Sequence, residues 1–377
     1  MYWQRDFLRT SATMELGKAY RVDLPEQGLL GSILFHIRGT PVVDSMNAID
    51  KWRMLDYVSK IELIGNGSTP IKSVTGPVAH YLAWLDGAGA APDQHFNYGS
   101  STKRCHLLMN FGRWLFDPEF GLDLSRWNNV ELRITNDGSS TYFSDDLSVD
   151  ILCYYLRDAA AGLMGGYFKT EEWRNWTTVA GEWKYLELPT AEKVRRIVLQ
   201  VIPDLDAYYA AETTPYNVAY DIELYLKTGV LKVFDGSLRD LWYENYFDIG
   251  RDVLQPLQPY HTAAYGIWTG LGQTLGFAGA RMPHDSTQDT ASTSIYPGDD
   301  SSTLRRMTNT DNDQDALLAM GLALENCATF RFDQLYDPAS FLDPEANKTV
   351  QLNIQTRNSA SAADGTIRVI LDRYMPR

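Results

Sequence analysis

An internal repeat constrains the fold of this 377-residue chain more than any other feature of its sequence. Late in each half, paired positions share apolar alternation together with an Asp-Pro and a Leu-Asp dipeptide, and the members of every pair lie 220 positions apart. Apolar alternation arises by chance between unrelated strands, but shared dipeptides at one constant spacing indicate duplication. The pairs are Asp117-Pro118 and Asp337-Pro338, Leu122-Asp123 and Leu342-Asp343, Val130, Leu132 and Ile134 with Val350, Leu352 and Ile354, and Leu147, Val149, Ile151 and Tyr154 with Ile367, Val369, Leu371 and Tyr374.

The earlier part of each half matches in the same order, although its spacing is less regular. Each half has a strand that ends in proline, then an apolar strand, and then a hairpin. The hairpin of the first half contains Asn66-Gly67, a dipeptide that supplies the positive φ angles of a tight turn. The matched segments are 20–25 and 185–189, 29–37 and 194–202, and 60–76 and 221–236, with Ile61-Glu62-Leu63 matched to Ile222-Glu223-Leu224 and Ile71-Lys72 to Leu231-Lys232.

Short segments of period two dominate the chain, which is the pattern of half-buried strands. The segments 130–136 and 147–155 both place apolar residues on one face and polar residues on the other. Helical periodicity is rare, and the clearest helix that it predicts runs from Gln314 to Asn326. Each copy of the repeat has the size of one β-sandwich. We therefore predict an all-β protein with two tandem jelly-roll β-sandwiches and a long loop insertion in the second.

A change in the spacing between the copies locates that insertion. Gly76 and Gly236 lie 160 positions apart, whereas Asp117 and Asp337 lie 220 apart, so the second copy carries 60 extra residues between these points. They fall at about 244–315, where a Gly-rich stretch is followed by a run rich in Asp, Ser and Thr. The predicted organisation is an N-terminal arm at 1–17, a first jelly roll at 18–158, a linker at 159–183 and a second jelly roll at 184–377 that carries the insertion.

The charge balance of the chain limits its partners. With 34 Lys and Arg against 48 Asp and Glu, the formal net charge is -14. A protein that coats nucleic acid needs an excess of basic residues, so we expect no strong direct nucleic-acid binding. The uncharged stretch from Thr262 to Ala280 is too rich in Gly and Thr for a transmembrane helix. The three cysteines are too scattered for a disulfide framework.

No sequence motif predicts chemistry, so we assign no catalytic, cofactor-binding or metal-ligating residue and expect a protein that is not an enzyme. Phosphate-binding glycine loops, nucleophile elbows and zinc-binding helix motifs are all missing from the sequence. His36 lies in an apolar strand and is interpreted as a core or sheet residue. The acidic run 311–315 begins like a calcium loop, but Ala316 and Leu322 stand where such a loop requires a glycine and an acid. A solvated loop is favoured there, and cation binding stays open.

Two segments carry a resemblance to a known family. They are IELIGNGSTPIKSVTG at 61–76 and NFGRWLFDPEFGLDLSRWNNVELRITN at 110–136. With the duplicated architecture, they resemble the double jelly-roll major capsid proteins of tailless icosahedral viruses, a lineage that includes adenovirus-like and membrane-containing bacteriophage capsids. The resemblance implies a structural major capsid protein that forms pseudo-hexameric homotrimers, and these trimers tile an icosahedral shell.

The same resemblance implies partners and a location. The partners are other copies of the chain, within the homotrimer and in neighbouring capsomers, together with minor capsid and vertex proteins, and an internal membrane is compatible with the family. The location is the capsid shell of the virion, assembled in the host cytoplasm. The insertion at 244–315 is expected in an outward tower and in trimer contacts. The arm at 1–17 is expected near the inner side of the shell or against an adjacent capsomer.

Two other functions stay open at the level of sequence. A glycan-acting amidase or carbohydrate-binding protein built on two jelly rolls would use some of the 10 tryptophans to line a sugar site. A minor vertex protein of the same virus type is the second. The mass in solution separates these hypotheses, because a stable trimer of the 42.6 kDa chain favours the capsid and a glycan-cleaving monomer contradicts it.

Overall fold

The chain forms two β-sandwiches that follow one another in sequence. The computed structural model describes residues 1–42, 53–88, 102–158, 164–203, 215–227, 229–249, 323–358 and 365–377, together with the backbone of five short strands between 253 and 321.

The described residues of the first sandwich, called roll 1 below, form nine strands and one α-helix. Short 3-10 turns at Met54–Tyr57 and Leu124–Arg126 and a π-turn at Trp84–Ala88 complete it. Its elements are β1 (Tyr2–Met14), β2 (Ala19–Asp23), β3 (Leu29–Gly39), β4 (Val58–Gly65), β5 (Thr69–Val74), α1 (Gly76–Ala83), β6 (Lys103–Asn110), β7 (Leu122–Asp123), β8 (Val130–Asn136) and β9 (Leu147–Arg157).

The second sandwich, roll 2, has the same strand sequence with additional short elements after its second helix. Two 3-10 turns, Leu324–Asn326 and Pro338–Ser340, flank the strand that corresponds to β6. Its elements are β10 (Gly166–Thr177), β11 (Trp183–Glu187), β12 (Lys193–Pro203), α2 (Pro215–Val218), β13 (Asp221–Leu226), β14 (Leu231–Gly236), α3 (Leu238–Ile249), β15 (Val253–Leu257), β16 (Trp268–Thr269), β17 (Gly279–Arg281), β18 (Leu304–Arg305), β19 (Leu317–Gly321), β20 (Cys327–Arg331), β21 (Gln351–Gln355) and β22 (Gly365–Pro376).

Both rolls pair their strands in the same order. In roll 1 a first sheet of order β1-β9-β3-β6, with β7 beside β3, packs on a second sheet of order β2-β8-β4-β5. In roll 2 the corresponding sheets have the orders β10-β22-β12-β20 and β11-β21-β13-β14. Each strand of roll 1 except β7 therefore has an equivalent strand in roll 2. The prediction of an all-β protein with two tandem jelly rolls is confirmed.

Strand registers show the duplication residue by residue. In roll 1 the central strand β4 pairs with β8, and in roll 2 β13 pairs with β21 through the same apolar positions. Outside the strands, Phe116 and Tyr336 precede the two Asp-Pro dipeptides and both have a left-handed backbone, with φ of 68° and 54°. The equivalent pairs are Ile61 with Ile134 and Leu63 with Leu132 in roll 1, and Ile222 with Ile354 and Leu224 with Leu352 in roll 2, so the spacing of 220 is confirmed.

One match made from the sequence is wrong in its register. Leu63 pairs with Lys72 in the first hairpin, whereas its equivalent Leu224 pairs with Phe234 in the second. Lys72 therefore corresponds to Phe234, at a spacing of 162, and not to Lys232. The turn between β13 and β14 is one residue longer than that between β4 and β5. A slip of two residues preserves the alternation of a strand, so the sequence pattern does not reveal it.

Three further expectations concern the segments 1–17, 159–183 and 314–326. The segment 1–17 contains β1, which pairs with β9 along most of its length, and the segment 159–183 contains β10, which pairs with β22. The helix predicted from Gln314 to Asn326 is wrong, because Leu317–Gly321 pairs with β15 and β17 as a strand. Most of the predicted insertion at 244–315, including the acidic run 311–315 and much of the stretch 262–280, lies outside the described residues.

The two rolls share a continuous backbone sheet. Strand β5 at the edge of roll 1 pairs in parallel with β10 of roll 2, through Lys72 with Thr170 and Ser73 with Glu171. This pairing joins the second sheet of roll 1 to the first sheet of roll 2 in one eight-stranded sheet. The apolar cluster of roll 1 continues across the junction and includes Val198 and Ile370 from roll 2. The junction is therefore part of the folded core of the chain.

Candidate assembly surfaces

The junction between the rolls shows how one jelly roll of this chain recognises another. Helix α1 begins after Thr75, whose side-chain oxygen accepts a hydrogen bond from the Val78 amide at 3.4 Å. The helix lies over the outer face of the first sheet of roll 2, and the Tyr81 hydroxyl is 2.7 Å from the Thr329 hydroxyl oxygen. Helix α1 of roll 1 thus contacts β20 in the first sheet of roll 2.

The buried carboxylate of Glu325 in roll 2 forms hydrogen bonds with residues in and near helix α1. Both carboxylate oxygens of Glu325 accept hydrogen bonds from the Arg53 guanidinium at 2.8 Å, and Oε1 also lies 2.9 Å from His80 Nδ1. Glu325 and Asn326 both have left-handed backbones, with φ of 56° and 50°, and this tight turn directs the Glu325 side chain into roll 1. Asp56 accepts further hydrogen bonds from Arg53, the shortest at 2.6 Å.

The charges of this cluster influence one another. Burial alone would raise the pKa of Glu325, but the Arg53 guanidinium and the hydrogen bonds from Arg53 and His80 hold that pKa below its ordinary value. For Asp56 burial dominates, and its pKa is raised despite the contact with Arg53. Arg53 therefore favours the ionised form of Glu325 more strongly than burial opposes it.

A second polar cluster fills the junction next to β10. Arg195 and Arg196 of β12 are both buried, and each donates to Oδ1 of Asp86 from roll 1, at 3.2 and 2.6 Å. Both also donate to Asp333 of roll 2, at distances of 2.8 to 3.0 Å. Asp372 completes the cluster by accepting from Arg195 at 3.3 Å and from the Thr170 hydroxyl at 2.8 Å. Two guanidinium groups therefore hold carboxylates from both rolls in a fixed arrangement.

The pKa values of this cluster follow from its burial and its charges. Burial would raise the pKa of Asp333, but Arg196, Arg195 and Arg331 together lower it far below its ordinary range. Burial lowers the pKa of Lys72, which donates to Thr170 at 2.6 Å, to about 8. The ionised form of Asp333 therefore contributes stability at neutral pH that is lost only in strong acid, as the pH falls through its lowered pKa.

Each roll also has a surface that is equivalent to one side of the junction and that exposes side chains to solvent. On roll 2, α3 and β14 carry large apolar side chains in contact with solvent, among them Phe247 at 79% exposure and Tyr243 at 47%. Val230, Leu231 and Val233, at the edge strand β14, are exposed as well. Edge strands with free backbone groups and apolar side chains are sites of strand or sheet addition. We call α3 and β14 with these side chains the roll 2 docking surface.

The second open surface is the outer face of the first sheet of roll 1, called the roll 1 receiving face. Its edge strand β1 exposes Phe7, at 64%, and Phe7 pairs with Leu152 of β9 on this face. In the middle of the face the rings of His36 and His106 stack with their centroids 4.4 Å apart, and His36 Nδ1 lies 3.2 Å from an Asp150 oxygen. The interpretation of His36 as a sheet residue agrees with this position on β3.

The remaining residues considered from sequence show no reactive arrangement in the described parts of the chain. Cys105, Cys153 and Cys327 are buried free thiols, and burial raises the pKa of Cys153 and Cys327 above the ordinary value. Across the ranges that the structure describes, no three or more His, Cys, Asp or Glu side chains are grouped to hold a metal ion. None of the helices in those ranges combines the length and apolar character needed to cross a bilayer.

Sequence comparisons identify no relative of this chain. No protein-family model matches it, and no curated protein matches it.

Structural comparison does find full-length similarity. The STIV MCP superposes with a TM-score of 0.60 at 13% identity over 100% of this chain and 97% of that one. The major capsid protein P2 from bacteriophage PM2 gives a TM-score of 0.53 at 10% identity, with coverage of 100% and 99%. The PBCV-1 virus capsid gives 0.56 at 9% identity, with coverage of 99% and 93%. Because these chains are matched along their whole length and have two jelly rolls each, the present chain has the double jelly-roll fold of viral major capsid proteins.

Proposed function

We propose that this chain is a structural major capsid protein, and that three copies form a pseudo-hexameric homotrimer that tiles an icosahedral viral shell. The observation that carries the proposal is the full-length structural likeness to capsid proteins of three different viruses. A shared fold does not fix a function by itself. The proposal is also supported by the two open apolar surfaces, which are typical of a protein that associates with copies of itself.

The geometry of the duplication favours a trimer. One chain supplies two similar rolls, so three chains supply six similar units around an axis. A head-to-tail contact from roll 2 of one chain to roll 1 of the next closes into a ring after three copies if it repeats the rotation between the rolls within a chain. The division into two rolls, with β1 in the first and β10 in the second, and the placement of the insertion 244–315 on the outside of the shell belong to this proposal.

The other partners follow from the same function. Neighbouring trimers, minor capsid proteins and vertex proteins are the expected contacts in a virion shell, and an internal membrane beneath the shell is compatible with it. A chain with net charge -14 has little electrostatic attraction for a genome, so strong direct nucleic-acid binding is not part of the proposal.

The hypotheses of an amidase or a carbohydrate-binding protein are not favoured. A sugar site needs aromatic side chains that are exposed together beside polar groups. Trp84 and Trp242 are buried, and Trp127 packs against the apolar cluster of roll 1. These three tryptophans are explained by packing.

The direct test is the mass and shape of the purified chain in solution. We expect a trimer by light scattering or native mass spectrometry, and particles with a hexagonal outline in negative-stain electron microscopy. A protein that stays monomeric at concentrations well above those in an assembling cell would contradict the proposal. Turnover of a glycan or peptidoglycan substrate by the purified chain would favour the amidase hypothesis.

A further inference from the structure

The repeat continues through the helices that follow the two hairpins. Thr75 caps α1 and Ser237 caps α3, at a spacing of 162. Each side-chain oxygen accepts a hydrogen bond from the amide three residues later, from Val78 at 3.4 Å and from Asp240 at 3.2 Å. The same spacing relates the paired strands β5 and β14, so hairpin and helix form one equivalent unit in both rolls.

The spacing of 162 identifies the roll 2 equivalents of three junction residues of roll 1. Tyr81 corresponds to Tyr243 and Asp86 to Asp248, with identical residue types, and Leu85 corresponds to Phe247. Tyr81 and Asp86 contact residues of roll 2 and Leu85 is buried, whereas Tyr243 and Phe247 are exposed. The exposed Tyr243 and Phe247 of the roll 2 docking surface therefore match residues of the α1 unit, while another side of α3 packs on β20 through Trp242 and Asn245.

The receiving face can be matched in the same way. In roll 2, Val198 pairs with Thr329 and with Ile370, and in roll 1 His36 pairs with His106 and with Asp150. The strands β9 and β22 are related by the spacing of 220, so the two sets are equivalent. Thr329, which contacts Tyr81, thus corresponds to His106. By the same registers the buried Arg196 corresponds to Leu34.

We propose that the roll 2 docking surface of one copy lies on the roll 1 receiving face of a second copy, with Tyr243 against His106 of that copy. The contact repeats the docking of α1 and β5 on roll 2 within the chain. Strand β14 then adds beside β1 of the second copy, as β5 pairs with β10. This inference rests on the proposed function, because it assigns the subunit interface of the homotrimer.

The chemistry of the two surfaces is complementary. Phe247 of α3 would meet a face that carries Leu34, Leu108 and Leu152 at partly exposed positions, where the junction within the chain has Arg196, Arg331 and Asp372. The helix also carries the acids Asp240, Glu244 and Asp248, and the receiving face carries the bases Arg38 and Arg104. Apolar contact at the centre and opposite charges around it are typical of subunit interfaces.

The first experiment crosslinks the proposed contact in the full-length chain. Tyr243→Cys and His106→Cys are combined and treated with a short bis-maleimide, and the three native thiols are buried and should not react. We expect covalent dimers and trimers on a denaturing gel. The matched control pairs Tyr243→Cys with Arg21→Cys, an exposed position on the second sheet of roll 1, and should give no covalent trimer.

The mass of the uncrosslinked variant separates the possible outcomes. A trimer in solution with crosslinking supports the contact. A trimer in solution without crosslinking overturns this interface and leaves the proposed function standing. A chain that is monomeric in every variant and in the native form overturns both.

A second pair of variants tests the apolar centre without disturbing the fold. Phe247→Asp changes a side chain that is 79% exposed, and the control Leu335→Asp changes one that is 77% exposed outside the docking surface. We expect Phe247→Asp to raise the dissociation constant of the trimer at least about tenfold, and Leu335→Asp to leave it within about twofold of the native value. Equal effects of the two changes would overturn the proposal.

Discussion

In roll 2 the outer face of the first sheet lies under roll 1 and carries the buried guanidinium groups of Arg195 and Arg196. In roll 1 the equivalent face is open and carries Leu34 and the stacked His36 and His106. The two faces are built from equivalent strands, so they differ in their side chains. We relate this difference to the surface that each face contacts. The face inside the chain is desolvated once, during folding.

The cost of desolvation explains why the roll 2 face has charged side chains at positions where the equivalent roll 1 face has leucines. Removing a guanidinium and a carboxylate from water costs several kcal/mol per ion, and their pairing offsets that cost only when the geometry is fixed. Covalent connection brings the two rolls together and holds that geometry. Separate copies have no such connection, so a face with Leu34, Leu108 and Leu152 at the positions of the buried charges has a smaller desolvation penalty and is better suited to association.

We expect the largest loss of stability when the carboxylate of Glu325 is removed from the junction. Glu325→Ala removes two of the carboxylate oxygens that accept from Arg53, a side chain that is 1% exposed, and leaves this guanidinium beside Asp56 without its carboxylate from roll 2, so we expect a loss of about 3 kcal/mol in the free energy of unfolding. Calorimetry should then show the two rolls unfolding at separate temperatures. As a control, Glu345→Ala at an exposed position should change stability by no more than about 0.5 kcal/mol. A single transition at the native temperature in Glu325→Ala would contradict this role of the junction.

Equivalent aspartates in the two helical units give a matched comparison. Asp86 accepts from two buried arginines, whereas Asp248 accepts from Arg331 at 2.8 Å with a side chain that is 34% exposed. We expect Asp86→Asn to destabilise the chain by about 2 kcal/mol, because a charged acceptor is lost inside the junction. Asp248→Asn should cost below about 1 kcal/mol, as for exposed ion pairs. Chemical denaturation of both variants measures the difference, and equal losses would contradict it.

Glycines in the two hairpin turns should respond alike, because their role depends on the backbone alone. Gly67 and Gly229 have φ of 76° and 80°, and an added Cβ would meet no atom within 4 Å at either position. Alanine at each position should therefore cost about 1 kcal/mol from the left-handed conformation. Thermal unfolding of Gly67→Ala and Gly229→Ala checks this. A much larger loss in one hairpin would show that the turns have diverged as the helices have.

How far the sequence predicts this structure depends on whether the signal is local. The two jelly rolls and the equivalence of β8 and β21 followed from one constant spacing of 220, because the segment from Asp-Pro to the last strand has the same length in both copies. The helix predicted from Gln314 failed because Leu, Ala and Met favour helices, and pairing of Leu317–Gly321 with two strands overrides that preference.

The junction itself could not be predicted from the sequence. Arg53 and Glu325 are 272 positions apart, and Asp86 and Arg195 are 109 apart, without a motif around any of the four. The one available signal was the pair Arg195-Arg196 inside an apolar strand, since charged residues there must find buried partners. The equivalence of α1 and α3 was missed because Tyr81 and Tyr243 lie in segments with few other identities.

We expect the smallest effect on stability from the stacked His36 and His106 of the roll 1 receiving face. Burial, and then Arg38, lower the pKa of His36, against an opposing effect of Asp150. Burial, His36 and Arg104 lower the pKa of His106. Both folded-state pKa values thus lie below the ordinary value of about 6.5, so the folded chain resists protonation that the unfolded chain accepts.

Stability from this pair should therefore be complete above about pH 6.5 and decrease as the pH falls through that value toward the folded-state pKa values. His36→Gln removes one titrating ring and should flatten the dependence of the melting temperature on pH between about pH 7 and pH 5.5, relative to the native chain. The control is Asn128→Gln, a change at an exposed turn that removes no titrating group. A dependence on pH that is equally steep in His36→Gln would show that the open face tolerates protonation, and that the difference between the two faces lies in their apolar side chains alone.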